Sequence, residues 1–156
     1  MTEFANTEGT VLLDELAQRL REGFAPAKSA SVAVAADPAH AMEILGGVRP
    51  GAAAIVLFYD GDAADGEDDL EGDTLVEARV SAAVVQHPGL AAKPAQSAPG
   101  ALRMAQDLRK FIAAMAMGGA LEGWNYAGMA SLQNYAGEIL HGYALTWRCR
   151  YAFDIQ

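Results

Sequence analysis

The side chains of this chain that could bind a ligand are concentrated in one acidic segment, residues 60–73. It holds eight carboxylates and no basic side chain: Asp60, Asp62, Asp65, Glu67, Asp68, Asp69, Glu71 and Asp73. A calcium loop of the EF-hand type needs an acid or amide at its fifth position and glycine at its sixth. Counted from Asp60, those positions hold Ala64 and Asp65, and glycine comes one place late. The spacing therefore predicts a solvated loop between two strands, because clustered like charges resist packing.

The other candidate catalytic and metal-binding groups are scattered. No two of His40, His87 and His141 have the spacing of metal ligands, and no serine lies in a G-x-S-x-G turn. The sequence contains no G-x-G-x-x-G run and no Walker loop. Cys149 is the only cysteine, and its place on the apolar face of a strand predicts a buried, inert thiol. We therefore expect no catalytic site, no cofactor and no metal.

Composition limits the fold and the partners. The chain has 156 residues, of which 52% are hydrophobic, enough for one domain with its own core. Its 11 basic and 20 acidic side chains give a formal net charge of -9, which repels nucleic acid and anionic membranes. No signal sequence is visible, and no apolar run approaches the roughly 20 residues of a membrane helix. We expect a soluble protein made in a reducing compartment, with a flexible N-terminus at 1–9 and a single domain at 10–156.

Apolar periodicity predicts three helices. Apolar residues recur at helical spacing over 10–23 and over about 102–117. A shorter helix is predicted over 38–45, because Asp37 is suited to cap its first turn and two glycines follow it. Residues 90–100, rich in Ala, Pro, Lys and Ser, are predicted as an exposed loop.

Strand patterns account for much of the rest of the chain. The continuous apolar run 53–59 predicts a central strand covered on both faces, whereas the alternation over 74–87 predicts a long strand with one wet face. Further strands are predicted at 31–36, around 130–132, around 138–141 and at 144–153. Because strands outnumber crossover helices, we expect an α+β fold with a mixed, mainly antiparallel sheet flanked by about three helices.

Two groups of residues are candidates for an interface. In the last strand, Arg148 and Arg150 alternate with apolar residues, so they either lie in solvent or pair with acids on a neighbouring strand or subunit. In the glycine-rich segment 120–142, partly buried aromatic side chains serve either an interface or a lid over the local core. The candidate interface residues are Arg148, Arg150, Trp124, Tyr126, Tyr135, Asp60, Asp68 and Asp69.

The order of these elements resembles a known family. Five segments follow one another between about Thr10 and Phe153: VLLDELAQRL, PGAAAIVLFYDG, TLVEARVSAAVV, ALRMAQDLRKFIAAM and YALTWRCRYAF. This layout resembles that of tail-terminator, or tail-completion, proteins of long-tailed bacteriophages, especially the Mu-like prophage tail proteins.

The resemblance implies a structural virion protein without enzymatic activity. Such a protein forms a ring, a homohexamer in this family, that caps the tail tube, stops its polymerisation and joins the tail to the head connector. The implied partners are the tail tube protein, the head-tail connector protein and, in contractile tails, the sheath protein. Genomic DNA would pass through the ring without specific binding, and the protein would assemble in the host cytoplasm and reside in the tail or neck of the virion. The alternative is a small α/β binding module that uses residues 60–73 to hold a divalent cation or a basic protein.

Overall fold

The described part of the chain contains three α-helices, one short 3-10 helix and five strands. The computed structural model describes residues 9–64, 73–87, 94–115, 124–132 and 141–154. In chain order the elements are helix α1 (Gly9–Gly23), a short 3-10 helix (Ala25–Lys28), strand β1 (Ser31–Ala35), helix α2 (Pro38–Gly46), strands β2 (Ala53–Ala64) and β3 (Asp73–Gln86), helix α3 (Pro94–Met115), and strands β4 (Asn125–Leu132) and β5 (His141–Asp154).

The five strands form one mixed sheet in the order β1-β2-β3-β5-β4. β1 is parallel to β2, and the other neighbouring pairs are antiparallel. β3 and β5 form the longest ladder, which runs without a break from Asp73 opposite Asp154 to Gln86 opposite His141. The predicted α+β class with a mixed, mainly antiparallel sheet is confirmed.

Helices cover β2 on both sides, as its continuous apolar run predicts. Ile55 and Leu57 point into the larger core, which is shared with α1 and α3. Val56 and Phe58 alternate with them and pack with Leu45 of α2 in a second, smaller core. Residues 54–58 are therefore all buried, although successive side chains leave the strand on opposite faces.

The predicted start of the short helix α2 is confirmed. The side chain of Asp37 accepts a hydrogen bond of 2.8 Å from the main-chain N–H of His40, and Pro38 occupies the first turn. This cap satisfies one of the main-chain donors that a helix leaves unpaired at its start. Gly47 follows the last residue of the helix, and its N–H binds the carbonyl of Ile44.

Helix α3 begins earlier than the sequence predicts. It starts at Pro94, so the predicted loop is wrong for residues 94–100. The composition of this segment suits a loop, but Pro94 is also well suited to a first helical turn, where its missing N–H is not needed. Gly100 lies close to the sheet, since a methyl group there would come within 3.2 Å of Oε1 of Gln86. The predicted end of this helix, after Met115, lies outside the described residues.

The strands also differ from the predicted bounds. β2 continues through Ala64 beyond a bulge at Gly61, whose φ of 86° suits glycine, so residues 60–64 are strand and not loop. β4 begins at Asn125, well before the predicted 130–132. The prediction for 138–141 lies outside the described residues except for His141, and so does the flexible N-terminus except for Gly9.

Candidate functional site

The described helices leave half of one sheet face uncovered. Helices α1 and α3 pack on one face, whereas α2 packs on the other only over β1, β2 and the nearby end of β3. Over β3, β5 and β4 this second face carries small, hydroxyl and charged side chains. We call this part the open face; its residues are Glu77, Arg79, Ser81, Gly128, Ala130, Ala144, Thr146 and Arg148.

Two arginines lie side by side on the open face. Arg79 of β3 is directly opposite Arg148 of β5 in the strand register. Nε of Arg148 is 3.8 Å from Oε1 of Glu77, and the Arg148 side chain is 60% exposed. Arg79 is exposed and makes no hydrogen bond or ion pair with a described residue. Because like charges directly opposite each other destabilise a sheet, this pair is a local electrostatic cost.

The structure describes the surroundings of only one of the two arginines that the sequence analysis named, Arg148 and Arg150. The sequence left open whether Arg148 lies in solvent or pairs with an acid, and the structure pairs it weakly with Glu77 on the neighbouring strand. Arg150 is opposite Glu77 in the register, on the same face as Arg148. The side chain of Arg150 lies outside what the structure describes.

A row of hydroxyls borders the arginines. Oγ of Ser81 lies 3.0 Å from Oγ1 of Thr146 and 3.4 Å from Oδ2 of Asp60. Ser81 is only 2% exposed, whereas its partner Thr146 is half-buried. Asp60 is half-buried at the end of this row. The structure therefore places Asp60 beside the open face, at the point where the sequence predicted a solvated loop.

A groove follows the open face between β3 and β4. It has a volume of about 390 Å³, and its floor consists of small side chains on β4 and β5. Gly128 (φ 138°) lies at a bulge in β4, where the register with β5 shifts by one residue. In the strand register Arg79 and Arg148 lie at one end of the groove and Ala130 with Ala144 at the other. The groove is thus shallow, lined by small residues and positively charged at one end.

The main-chain groups at the two edges of the sheet differ in their hydrogen-bond partners. At one edge, the guanidinium of Arg21 donates a 2.7 Å hydrogen bond to the carbonyl of Val32 in β1. At the other edge, β4 pairs only with β5 among the described strands, and Met129 on it is 38% exposed. An exposed edge strand can accept further main-chain hydrogen bonds from another chain. The open face thus ends at an accessible edge.

The aromatic candidates belong mainly to the core. Trp124 is 8% exposed, so the prediction that it is only partly buried is wrong. Its ring centroid lies 6.4 Å from that of Trp147, and the ring of Tyr126 lies 5.9 Å from the same Trp147. The guanidinium of Arg109 on α3 covers Tyr126 at 4.1 Å from the ring centroid, which explains why Tyr126 is half-buried. Tyr135, Asp68 and Asp69 lie outside the described residues.

The remaining chemical groups are not brought together. Nδ1 of His40 accepts the N–H of Ala36 at 3.2 Å, a local contact at the start of α2. Within the described ranges no three His, Cys, Asp or Glu side chains are grouped as a metal site would require. Cys149 is buried against the core, and burial raises the pKa of its thiol to about 11, as expected for an inert cysteine.

Comparisons with known proteins do not indicate a function for the open face. No protein-family model matches the chain, and no curated protein matches its sequence. None of the described helices is long and apolar enough to cross a membrane. The functional argument therefore rests on the open face and its charges.

Proposed function

We propose that this protein is a structural subunit that acts by binding further copies of itself. The observation that carries the proposal is the Arg79–Arg148 pair on the open face. Both side chains are exposed, and neither is needed to fill the core. Their mutual repulsion raises the free energy of the isolated subunit, and an acidic surface docked against them would lower it. A position that costs stability in the free subunit is typical of a binding surface.

The charge of this surface limits the symmetry of the contact. A two-fold contact through the arginine pair would place the Arg79 and Arg148 side chains of both subunits together. The contact is therefore heterologous, between the basic open face of one subunit and a different, acidic surface of the next. Repeated heterologous contacts produce a closed ring when the rotation between neighbours closes, and otherwise a filament.

The specific assembly that we propose is a ring-shaped tail terminator. The order of elements resembles that of phage tail terminators, and a head-to-tail contact is one that can close a ring of six. In this role the ring caps the tail tube, stops its polymerisation and meets the head connector, with a sheath protein as a further partner in contractile tails. We propose no enzymatic step for the protein, and we place it in the tail or neck of a virion after assembly in the host cytoplasm.

Electron microscopy tests this proposal directly. The purified full-length chain is concentrated at low ionic strength, cross-linked lightly and imaged by negative stain. We expect closed rings of six subunits with a central channel. The rings should dissociate in 0.5 M NaCl, because salt screens exposed ion pairs. Two-fold dimers, or single subunits at all concentrations, would contradict the proposed function.

A further inference from the structure

We propose that the edge of β4 binds an extended acidic segment of a different protein, which adds a further strand to the sheet beside α3. This contact goes beyond the proposed self-association and is separate from it, because it does not use Arg79 or Arg148. Its main-chain half is the edge of β4, and its side-chain half is a basic groove on α3.

β4 has the features of a strand that can accept a partner strand. Among the described strands it pairs only with β5, and this ladder is regular from Gly128 to Leu132. Its sequence, NYAGMASL, contains neither a charged residue nor proline, which commonly block a sheet edge. At the opposite edge, the short strand β1 has the carbonyl of Val32 already bound by Arg21. β4 is therefore the edge that a further strand can join.

The sheet face on which α3 packs is only partly covered at β4. α3 lies across β3 and β5. On the same face of β4, Tyr126 is half-buried and Met129 is exposed, although they are opposite the core residues Trp147 and Leu145. A strand added at β4 would lie about 4.8 Å farther out, and every second side chain of it would lie on the α3 side.

The side of α3 that borders β4 is basic. A groove of about 450 Å³ is lined there by Gln106, Arg109, Lys110 and Ala113. The guanidinium of Arg109 also covers the ring of Tyr126, at 4.1 Å from the ring centroid, so Arg109 connects this groove to β4. Arg109 and Lys110 are both exposed. Side chains on the α3 side of an added strand would therefore meet two adjacent cations.

These cations favour a carboxylate ligand. Stacking on an aromatic ring uses the face of a guanidinium and leaves the N–H donors in its plane available for a carboxylate. Arg109 donates no hydrogen bond to a described residue. In a chain with a formal net charge of -9, a pair of cations beside an accessible strand edge is complementary to an acidic partner.

The edge strands of this chain do not supply that partner. β1 and β4 are the two edges of the described sheet, and neither contains an acidic residue. Pairing of two copies through their edges would therefore place no carboxylate of the added strand at Arg109 and Lys110. The occupant that fits both the edge and the groove is an acidic segment of another protein.

Methylated peptides test whether the main chain of β4 is used. The probe is a fluorescent peptide of eight residues, the length of β4, in which glutamate alternates with valine. Two further peptides are methylated on the main-chain nitrogens of either all glutamates or all valines, which removes the donors from one edge of the strand or from the other. Only one edge of an added strand faces β4. We therefore expect one methylated peptide to bind like the unmodified peptide and the other to bind about tenfold more weakly or less.

Two variants of the full-length chain test the basic groove by fluorescence polarisation at low ionic strength. The groove variant combines Arg109→Gln with Lys110→Gln, and its Kd for the unmodified peptide should rise about tenfold. The matched control combines Arg49→Gln with Arg103→Gln, which removes two exposed cations elsewhere and gives the same net charge, and it should bind like the wild type. Circular dichroism verifies that both variants are folded, since Arg109→Gln also removes the contact with Tyr126.

The outcomes separate this inference from the proposed function. Equal binding of the two methylated peptides, equal binding by the groove variant and the control, or no binding of the unmodified peptide to the wild type would each overturn the inference. None of these results bears on self-association through the open face, which is measured without peptide. If the groove variant loses self-association in the absence of peptide while the control keeps it, the occupant is a second copy, and the inference is likewise overturned.

Discussion

Oγ of Ser81 lies 3.0 Å from Oγ1 of Thr146, and this hydroxyl pair marks the boundary of the open face. Two residues further along β3, Ala83 is buried in the small core under α2. Two residues in the other direction, Arg79 is exposed opposite Arg148. The same sheet face thus changes from core to charged surface within four residues of one strand.

The hydroxyl pair should contribute measurably to stability. Ser81→Ala removes a buried hydroxyl and leaves Thr146 and Asp60 without it, which should lower the free energy of unfolding by about 1–2 kcal/mol. Thr146→Val in the same background should then cost less than it does in the wild type, because its partner is already gone. Urea unfolding of the two single variants and the double variant measures this coupling. Strictly additive losses would show that the 3.0 Å contact contributes nothing.

Replacing one arginine of the opposed pair should stabilise the subunit. Arg79→Thr removes the repulsion from Arg148 and introduces a residue that favours strands, so we expect a gain of about 0.2–1 kcal/mol. The gain should be larger at low ionic strength than in 0.5 M NaCl, because salt screens exposed charges. Urea unfolding at a protein concentration that gives monomers is the appropriate measurement. A loss of stability at low salt would contradict the electrostatic interpretation of the pair.

Gly142 should not tolerate a side chain. A Cβ atom at this position would lie 2.5 Å from the carbonyl oxygen of Val84 and 2.7 Å from Cγ1 of Val85, so the strands must shift to admit it. We expect Gly142→Ala to lower the free energy of unfolding by about 1–3 kcal/mol. Gly47→Ala is the control, since its nearest contact would be an ordinary 3.5 Å. Equal effects of the two substitutions on the melting temperature would contradict the close approach of β5 to β3.

The buried thiol predicts a specific dependence on alkaline pH. Burial raises the pKa of Cys149 to about 11, from the ordinary thiol value of 9.0 that it regains in the unfolded chain. The unfolded chain therefore loses its thiol proton first, and stability falls as the pH rises from about 9 towards about 11, by at most about 3 kcal/mol. Between pH 7.5 and 10.5 the wild type should lose more stability in urea unfolding than Cys149→Ala does. Equal losses in the two proteins would contradict a buried, neutral thiol.

Periodicity was sufficient to predict most of the fold. The alternation over 144–153 correctly placed Trp147 and Cys149 on the core side and Arg148 on the other, because a strand has a fixed period. Local chemistry likewise predicted the cap at Asp37. The extra turns at the start of α3 were missed because proline is compatible with both a loop and a first helical turn.

The candidate site was predictable only in part. Arg148 was named from its place in the last strand, but its opposition to Arg79 depends on the register between β3 and β5, which no local pattern encodes. Ser81 and Thr146 alternate with apolar residues in their strands, and no local pattern in either strand shows that the two hydroxyls meet. The burial of Trp124 was not predicted, because its contact with Trp147 of β5 is not visible in the sequence of the glycine-rich segment.

The solution mass of the purified chain tests the central claim most directly. Multi-angle light scattering over a wide concentration range at low ionic strength should show masses well above the 16.4 kDa subunit, rising towards six times that value. In 0.5 M NaCl the mass should return towards a single subunit, because the proposed contact is formed by exposed charges. A constant mass of 16.4 kDa at every concentration and at both salt levels would contradict the account.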